Sequence, residues 1–227
     1  MQPYFFPYIG YFQLIAAVDL FVVYDNIKYT KKGWISRNRI LQNGKDVMLS
    51  LSLKKDSDYL DIRDRQLVSD FNGDTLLSRI TGAYRGAPYF AQTFPLIETI
   101  LQYDDANLFG FLHHSIVKTC EHLGLTTQIR ISSEIEINHE LKNQEKVLAL
   151  CEKVGASIYV NAVGGTELYA RQEFSDRGIE LKFIRSILVE YPQFGDAFVP
   201  WLSIIDAMMF NPLEALRTSI ANNYELI

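Results

Sequence analysis

The sequence has few cysteines, no excess of positive charge and no long hydrophobic run. Two cysteines in 227 residues argue against a disulfide framework and indicate a reducing compartment. No stretch reaches the roughly 18 apolar residues of a membrane-spanning helix, and no basic region opens the chain, so we expect no signal peptide and a cytoplasmic location. The 22 basic residues are outnumbered by 27 acidic ones, giving a net charge of -5 that disfavours nucleic acid as a partner.

Metal-binding and nucleophilic patterns are also scarce. The spacing of the four histidines and two cysteines is not typical of a metal site, and no motif indicates a cofactor. His113 and His114 are neighbours on a predicted helix, about 100° apart, so they cannot bind one metal ion together. Cys120 and Cys151 lie on apolar helix stripes, which predicts buried core residues and not nucleophiles.

The chain is instead rich in aromatic side chains near its N-terminus. Ten of its 29 aromatic residues fall in the segment 4–34. Pro3, Pro7 and Gly10 interrupt this run, and a proline disfavours helix at the residue before it. We therefore predict an extended segment at 2–7, a turn at 8–10, a helix at 11–18 and a strand at DLFVVYD.

The second half of the chain alternates helical and strand patterns. Apolar residues recur at helical spacing in 107–123 and 140–154, and each pattern ends at a glycine. Further helices are predicted at TELYARQEFSDRG and at LSIIDAMMFN. The predicted strands are TTQIRIS, SIYVNAV and IELKFIRS. This alternation indicates an α/β fold with a mostly parallel sheet flanked by helices.

The first half is less regular and predicts an elaboration of that fold. NRILQNGKDVMLSLSL is typical of a β-hairpin with its turn at Asn43–Gly44. LKKDSDYLDIRDRQ is polar and predicts an exposed loop or strand edge, and helices are expected at 76–84 and 90–103. We predict a single α/β domain over 1–227, with an insertion or subdomain at about 41–105 as an open alternative.

The predicted strand, turn and helix at the N-terminus follow the order found in nucleotidyltransferases with an HxGH turn. The corresponding residues here are Tyr8, Ile9, Gly10 and Tyr11, so both histidines are tyrosines. Such a turn holds phosphates through backbone N–H groups and the helix dipole, but tyrosine carries no positive charge near neutral pH. Packing of these tyrosines on the core is the alternative interpretation.

Four segments, namely MQPYFFPYIGYFQLI, YDNIKYTKKGWISRNRI, YVNAVGGTELY and LSIIDAMMFN, resemble the WbqC-like family in order along nearly the whole chain. The chain departs from the family pattern at Ser36, at Ala162–Val163 and at Pro212. The family occurs in bacterial gene clusters for O-antigen and other surface polysaccharides. The resemblance implies a sugar-modifying role, such as acyl or aminoacyl transfer to an amino sugar, and it assigns no agreed catalytic residue.

Two loops that follow predicted strands contain candidate binding residues, because ligands of open α/β sheets bind beyond the carboxyl ends of the strands. The first loop supplies charges for a phosphate, a ring for stacking and amides for hydroxyl groups. The second has a glycine pair that allows close backbone approach. Together with the N-terminal turn, the candidate binding residues are Gln2, Tyr4, Tyr8, Gly10, Tyr11, Asn26, Lys31, Lys32, Trp34, Arg37, Asn38, Asn161, Gly164, Gly165 and Tyr169.

Asp25 and Asp206 are the candidate general bases. Asp25 ends a strand, and Asp206 sits in an apolar helix, where a carboxylate must be paired or face a cavity. We expect Asp25, Trp34, Asn38, Asn161 and Gly165 to meet in one cleft.

The favoured hypothesis is a transferase that acylates or aminoacylates a nucleotide-linked amino sugar directly, without a covalent enzyme intermediate. An acyl or aminoacyl carrier protein is a candidate partner, and a basic patch around Lys28, Lys31, Lys32, Arg37 and Arg39 is its candidate docking surface. Two alternatives stay open: a nucleotidyltransferase-like enzyme with a degenerate turn, and a noncatalytic module that binds a nucleotide sugar or a carrier protein.

Overall fold

Helices alternate with short strands along the chain, and the computed structural model describes residues 1–195 and 197–227. The first half contains α1 (Ile9–Ala16), β1 (Leu20–Val23), β2 (Arg37–Gln42), β3 (Lys45–Ser50), α2 (Asp74–Tyr84) and α3 (Phe90–Leu101). The second half contains α4 (Leu108–Leu123), β4 (Gln128–Ile131), α5 (Asn143–Val154), β5 (Ile158–Ala162), α6 (Arg171–Ser175), β6 (Glu180–Ser186), α7 (Ile204–Phe210), α8 (Leu213–Asn222) and β7 (Tyr224–Leu226). Segments of 3₁₀ helix lie at Ile62–Asp64, Ser132–Glu134 and Val163–Leu168.

The described strands form three small sheets. β1 pairs in parallel with β4, β2 forms an antiparallel hairpin with β3, and β6 lies between β5, which is parallel to it, and β7, which is antiparallel. The mixed α/β class agrees with the sequence. The single, mostly parallel sheet that we predicted is not observed within the described residues, because β1 and β5 belong to separate sheets.

Local sequence signals place several elements as predicted. The side chain of Asn107 caps α4 by accepting a hydrogen bond from the backbone N–H of Gly110 at 3.0 Å. Gly124 then ends the helix in the left-handed conformation at φ +73°. Asn43 and Gly44 both have positive φ, +52° and +72°, as a two-residue hairpin turn between β2 and β3 requires.

Tertiary packing overrides the local signals elsewhere. The helix predicted at TELYARQEFSDRG is instead a 3₁₀ segment, an extended residue Tyr169 and the short helix α6. The extended backbone places the Tyr169 ring edge-on against Phe174, with centroids 5.8 Å apart. The polar segment predicted to be an exposed loop contains Ile62 and Arg65, both of which are buried. Helix α8 and strand β7 were not predicted.

The aromatic N-terminus forms part of the core. Phe5, Phe6 and Phe12 are completely buried in the main hydrophobic cluster. Phe6 adopts a positive φ of +41°, and its carbonyl oxygen accepts hydrogen bonds from the Asn38 amide at 2.9 Å and from the Ser203 hydroxyl at 2.8 Å. The segment before α1 is therefore fixed by residues from β2 and from the start of α7.

A second, smaller hydrophobic cluster lies between α5, α6 and β6. It contains Val147, Cys151, Phe174 and Phe183, whereas the main cluster extends from Phe5 to residues of α8. Within the described part of the chain, no helix is both long and apolar enough to cross a membrane.

Candidate functional site

The carboxyl ends of β1 and β4 bring polar side chains together, because these two strands are parallel neighbours. Oδ1 of Asp25 accepts hydrogen bonds from the Ser132 hydroxyl at 3.1 Å and from the Ser133 backbone N–H at 3.0 Å. The same Ser132 hydroxyl lies 2.6 Å from Oδ1 of Asn26. Asp25 is only 4% exposed. Its carboxylate is thus held in one orientation at the edge where α/β sheets bind ligands.

One cation contacts Asn26 and another lies near the Asp25 carboxylate. Nζ of Lys146, a buried residue of α5, donates to the backbone carbonyl and to Oδ1 of Asn26, both at 3.1 Å. Burial lowers the pKa of Lys146, while the charges of Asp61 and Asp25 oppose that shift. Nη1 of Arg63, whose side chain is half-exposed, lies 3.9 Å from Oδ2 of Asp25. We call Asp25, Asn26, Ser132, Ser133, Lys146 and Arg63 the Asp25 cluster.

His139 joins the edge of the Asp25 cluster through Asn26. The Asn26 amide nitrogen lies 2.9 Å from Nδ1 of His139. Since that nitrogen can only donate, Nδ1 must accept, and the ring carries its proton on Nε2. This contact fixes the tautomer of a histidine that lies outside the sequence motifs.

Residues at the end of β5 form a second group. A Cβ on Gly165 would stand 2.8 Å from the Asn161 amide nitrogen, which explains the glycine at this position. The hydroxyl groups of Tyr169 and Tyr159 are 3.4 Å apart. Burial raises the pKa of Tyr24, which directly precedes Asp25, and the proximity of Tyr169 contributes to that shift. Tyr24 and Asn161 line the same cavity, so the ends of β1 and β5 lie near each other.

The basic loop between β1 and β2, together with the first residues of β2, faces a different set of neighbours. The Asn38 amide is buried and donates to the carbonyl oxygens of Phe5 and Phe6. Trp34 is 41% exposed, and its ring lies under the Arg39 guanidinium with 5.6 Å from the ring centroid to Cζ. Asn38 thus anchors the N-terminal segment, while Trp34 keeps an exposed face.

The charged side chains of this loop and of Arg37, the first residue of β2, are also partly engaged. The Arg37 guanidinium donates to the carbonyl oxygens of Gly33 at 3.1 Å and Lys32 at 2.6 Å. Lys31 forms an exposed ion pair with Asp58 at 2.6 Å, and Lys32 is exposed. Of these side chains, Lys31 and Lys32 are the ones that extend toward solvent.

The tyrosine-rich turn is packed, yet it borders a cavity. The Tyr11 hydroxyl donates to the Gln2 carbonyl at 2.9 Å, and its ring contacts the Tyr4 ring at 5.6 Å. Tyr8 lines a cavity of about 110 Å³ and meets the Trp201 ring edge-on at 6.0 Å. Burial raises the pKa of Tyr4, Tyr8 and Tyr11, so their hydroxyl groups stay protonated near neutral pH.

Gly10 is required by the position of the Tyr8 ring, which a Cβ on Gly10 would overlap. Replacing Gly10 with alanine should move the Tyr8 ring away from Trp201 and change tryptophan fluorescence. Gly82→Ala is the matched control, because Gly82 also lies in a helix but nothing stands within 4 Å of its Cβ position. The control should gain about 0.5–1 kcal/mol of unfolding free energy. An equal gain in both variants, without a fluorescence change, would contradict this prediction.

Asp206 is enclosed by hydrogen-bond donors. Oδ1 accepts from the Tyr84 hydroxyl at 2.9 Å, and Oδ2 accepts from the Tyr191 hydroxyl at 2.8 Å and the Gln193 amide at 2.7 Å. The residue is completely buried. Burial raises the pKa of Asp206, although the three hydrogen bonds act in the opposite direction. Both oxygens are therefore engaged within the protein.

The profile of the WbqC-like protein family matches residues 2–218, nearly the whole chain. The chain belongs to the WbqC-like protein family. It is 25% identical over 214 residues to Uncharacterized protein Rv1507c of Mycobacterium tuberculosis (strain ATCC 25618 / H37Rv), an alignment that covers 93% of this chain and 91% of that protein. No solved structure matches the chain significantly.

The two cysteines of this WbqC-like protein are free and buried. Burial raises the pKa of the Cys120 thiol to about 12 and that of the Cys151 thiol to about 11, which leaves little thiolate near neutral pH. Within residues 1–195 and 197–227, no group of three or more His, Cys, Asp or Glu side chains is arranged to hold a metal ion.

We expect the double variant Cys120→Ser, Cys151→Ser to keep the activity of the parent protein within about twofold, since both thiols are buried and little ionised. The hydroxyl groups would lie in apolar surroundings and lower the unfolding free energy by about 1–3 kcal/mol. Urea unfolding and an activity assay on the same preparation would measure both effects. Loss of turnover in a folded double variant would instead indicate that a cysteine takes part covalently.

Sequence reasoning identified Asp25 and Asn26 but missed their partners Arg63, Ser132, Ser133, Lys146 and His139. One signal was present for the serines, because Ser132 ends the predicted strand TTQIRIS and Ser133 directly follows it. Another was present for Lys146, which precedes Val147 on the apolar face of a predicted helix. Neither signal shows which strand ends meet, so the pairing of β1 with β4 had to come from the structure.

Proposed function

We propose that this protein transfers an acyl or aminoacyl group to the amine of a nucleotide-linked amino sugar, in the biosynthesis of a bacterial surface polysaccharide. Membership in the WbqC-like family supports the sugar-modifying role that the resemblance implies. The observation that supports the chemistry is the Asp25 carboxylate. Ser132 and Ser133 hold one of its oxygens, while the other faces Arg63 at the ends of two parallel strands.

In the proposed reaction, the sugar amine attacks the carbonyl carbon of a thioester donor. The new C–N bond forms as the C–S bond breaks, and Oδ2 of Asp25 takes the proton that the nitrogen loses. That proton then passes to the departing thiolate. The carboxylate is regenerated, and the products are an amide and a thiol. A carboxylate in this position acts as a general base, and such groups typically contribute a factor of about 10²–10⁴ in rate.

Asp25 is a better candidate for the base than Asp206. A base needs an oxygen that a substrate can reach, and both oxygens of Asp206 accept hydrogen bonds inside the core. Oδ2 of Asp25 instead faces the half-exposed side chain of Arg63. Arg63 has the charge and the fork of N–H groups that suit a phosphate of the nucleotide.

The hydrogen bonds that hold the Asp25 cluster in place would allow it to orient a bound substrate. Asn26 is held by Ser132 and Lys146, so its position is defined before any ligand binds. Positioned groups of this kind accelerate a bimolecular reaction by holding the partners in reactive geometry. The exposed Lys28, Lys31 and Lys32 of the neighbouring loop provide positive charge for an acidic carrier protein that delivers the acyl group.

The test combines binding with product detection. The protein is incubated with nucleotide-linked amino sugars and acyl or aminoacyl thioesters, and the sugar products are weighed by mass spectrometry. We expect a mass increase equal to one acyl or aminoacyl group, together with calorimetric binding of the accepted sugar nucleotide. Binding without any product would support the noncatalytic module, and pyrophosphate release from a nucleoside triphosphate would support nucleotidyl transfer. Either result would refute the proposed acyl transfer.

A further inference from the structure

Met1 already pairs with β1 as a residue of a parallel strand would. Its nitrogen donates to the Val22 carbonyl at 2.7 Å, and its carbonyl oxygen accepts from the Tyr24 N–H at 2.9 Å. In a parallel ladder, a residue donates to the residue before its partner on the other strand and accepts from the residue after that partner. Met1 therefore stands opposite Val23.

This pairing shows which edge of β1 faces away from β4. The N–H and C=O groups of one strand residue point to the same side, and they alternate from residue to residue. Since the Val22 carbonyl points to Met1, the N–H of Val22 and both polar groups of Leu20 point to that side as well. β4 pairs with the opposite edge of β1.

A cavity of about 390 Å³ lies along this edge and reaches β5 on its far side. Leu20 and Val22 line it from β1, and Ile158 and Val160 line it from β5. Within the described residues, β5 has a ladder with β6 alone. The cavity therefore separates two strand edges that carry backbone donors and acceptors.

The two faces of the cavity are apolar. Leu14, Ala17 and Val18 border it from α1 and the link to β1, and Leu150 and Val154 border it from α5. A parallel strand in the middle of an α/β sheet is covered by helices on both faces and is apolar along its whole length. The lining thus matches the surroundings of such a strand.

The terminal amine of Met1 is poorly suited to its position. Burial lowers the pKa of this amine to about 5, because a charged group is disfavoured there. A peptide N–H in its place would keep the hydrogen bond to Val22 and would carry no charge.

We propose that an extended apolar segment, covalently joined to the nitrogen of Met1, fills this cavity as a strand parallel to both β1 and β5. Its residue two positions before Met1 donates to the Leu20 carbonyl and accepts from the Val22 N–H. A segment of about four residues spans the roughly 13 Å length of β1. The strand order then becomes β4, β1, the segment, β5, β6 and β7, in one six-stranded sheet.

The test places an apolar, β-branched stretch of five residues, such as Lys-Val-Ile-Val-Ile, directly before Met1. We expect the melting temperature to rise by about 5 °C or more and amide exchange at Val22 and Val160 to slow at least tenfold, as measured by mass spectrometry. The matched control has proline two positions before Met1. Proline removes the N–H that bonds to Leu20, so the control should lose most of both effects. Equal exchange rates in the extended and starting proteins would overturn the proposal.

Two further measurements distinguish a segment that is covalently joined to Met1 from a strand that a second protein supplies. The same five residues, added as a free peptide to the chain that begins at Met1, should protect β1 and β5 only at high concentration. Protection by the free peptide at low micromolar concentration, with none from the extension, would assign the cavity to a second protein and overturn the proposal. The mass of the protein purified from cells that carry its natural gene should include residues before Met1, and a mass without them would also overturn it.

Discussion

Asp25→Asn should lower the rate of the proposed acyl transfer by about 10²–10⁴-fold, while binding of the proposed sugar nucleotide changes little. Asparagine keeps the shape of the side chain and can still accept the hydrogen bonds from Ser132 and Ser133, but it cannot take a proton from the attacking amine. Loss of a general base has an effect of this size. Single-turnover kinetics and calorimetric titration with the same sugar nucleotide would measure the two quantities.

Asp64→Asn is the matched control for this variant. Asp64 is an exposed carboxylate one residue from Arg63, so its replacement changes the local charge by the same amount without touching Asp25. We expect its turnover to stay within about twofold of that of the parent protein, because solvent and salt screen the charge of an exposed side chain. If both variants lose activity equally, or if Asp25→Asn keeps full turnover, Asp25 is not the base.

Asp206→Ala should lower the unfolding free energy by about 3–5 kcal/mol, the largest stability effect that we expect from a single side chain. The substitution removes the acceptor of three buried donors and leaves a cavity between α2 and α7. An unpaired buried donor costs about 1–3 kcal/mol, and the hydroxyl of Tyr84 also accepts from the Leu41 N–H, so the disturbance reaches β2. Urea denaturation followed by circular dichroism would measure the loss.

Tyr191→Phe tests the same network with one donor removed. The carboxylate keeps its hydrogen bonds from Tyr84 and Gln193, so we expect a loss of only about 1–2 kcal/mol. An Asp206→Ala protein as stable as the parent would show that the buried carboxylate contributes nothing to the fold. Loss of transfer activity in a stable, folded Asp206→Ala protein would restore Asp206 as a candidate base.

The fold could be predicted where a short stretch of sequence is compatible with a single local conformation. Asn43–Gly44 allows a tight hairpin turn, and Gly124 supplies the left-handed residue that ends α4. The sequence also placed the strands β1, β4, β5 and β6 close to their observed positions. It could not give their order, because an apolar run shows that a strand is buried but not which strand it pairs with.

The candidate site was predictable only in part for the same reason. Asp25 was found because it ends a recognisable strand, whereas Lys146 reaches Asn26 from a helix 120 positions later in the chain. Asn38 and Trp34 were expected in the ligand cleft, yet Asn38 holds the carbonyl groups of Phe5 and Phe6. A polar residue in a motif can either stabilise the fold or bind a ligand. The contacts that its side chain makes in the structure are needed to distinguish the two roles.

The contacts that fix the N-terminal segment affect the order in which a newly made chain can fold. The carbonyl oxygens of Phe6 and Pro7 accept hydrogen bonds from Ser203 and Ile204, which leave the ribosome almost a whole chain later. Until then, the apolar rings of Phe5 and Phe6 lack part of the framework that buries them. Synthesis therefore includes a long interval in which this aromatic segment lacks part of its cover and is prone to aggregation, and a chain that stops before Ser203 never gains these contacts.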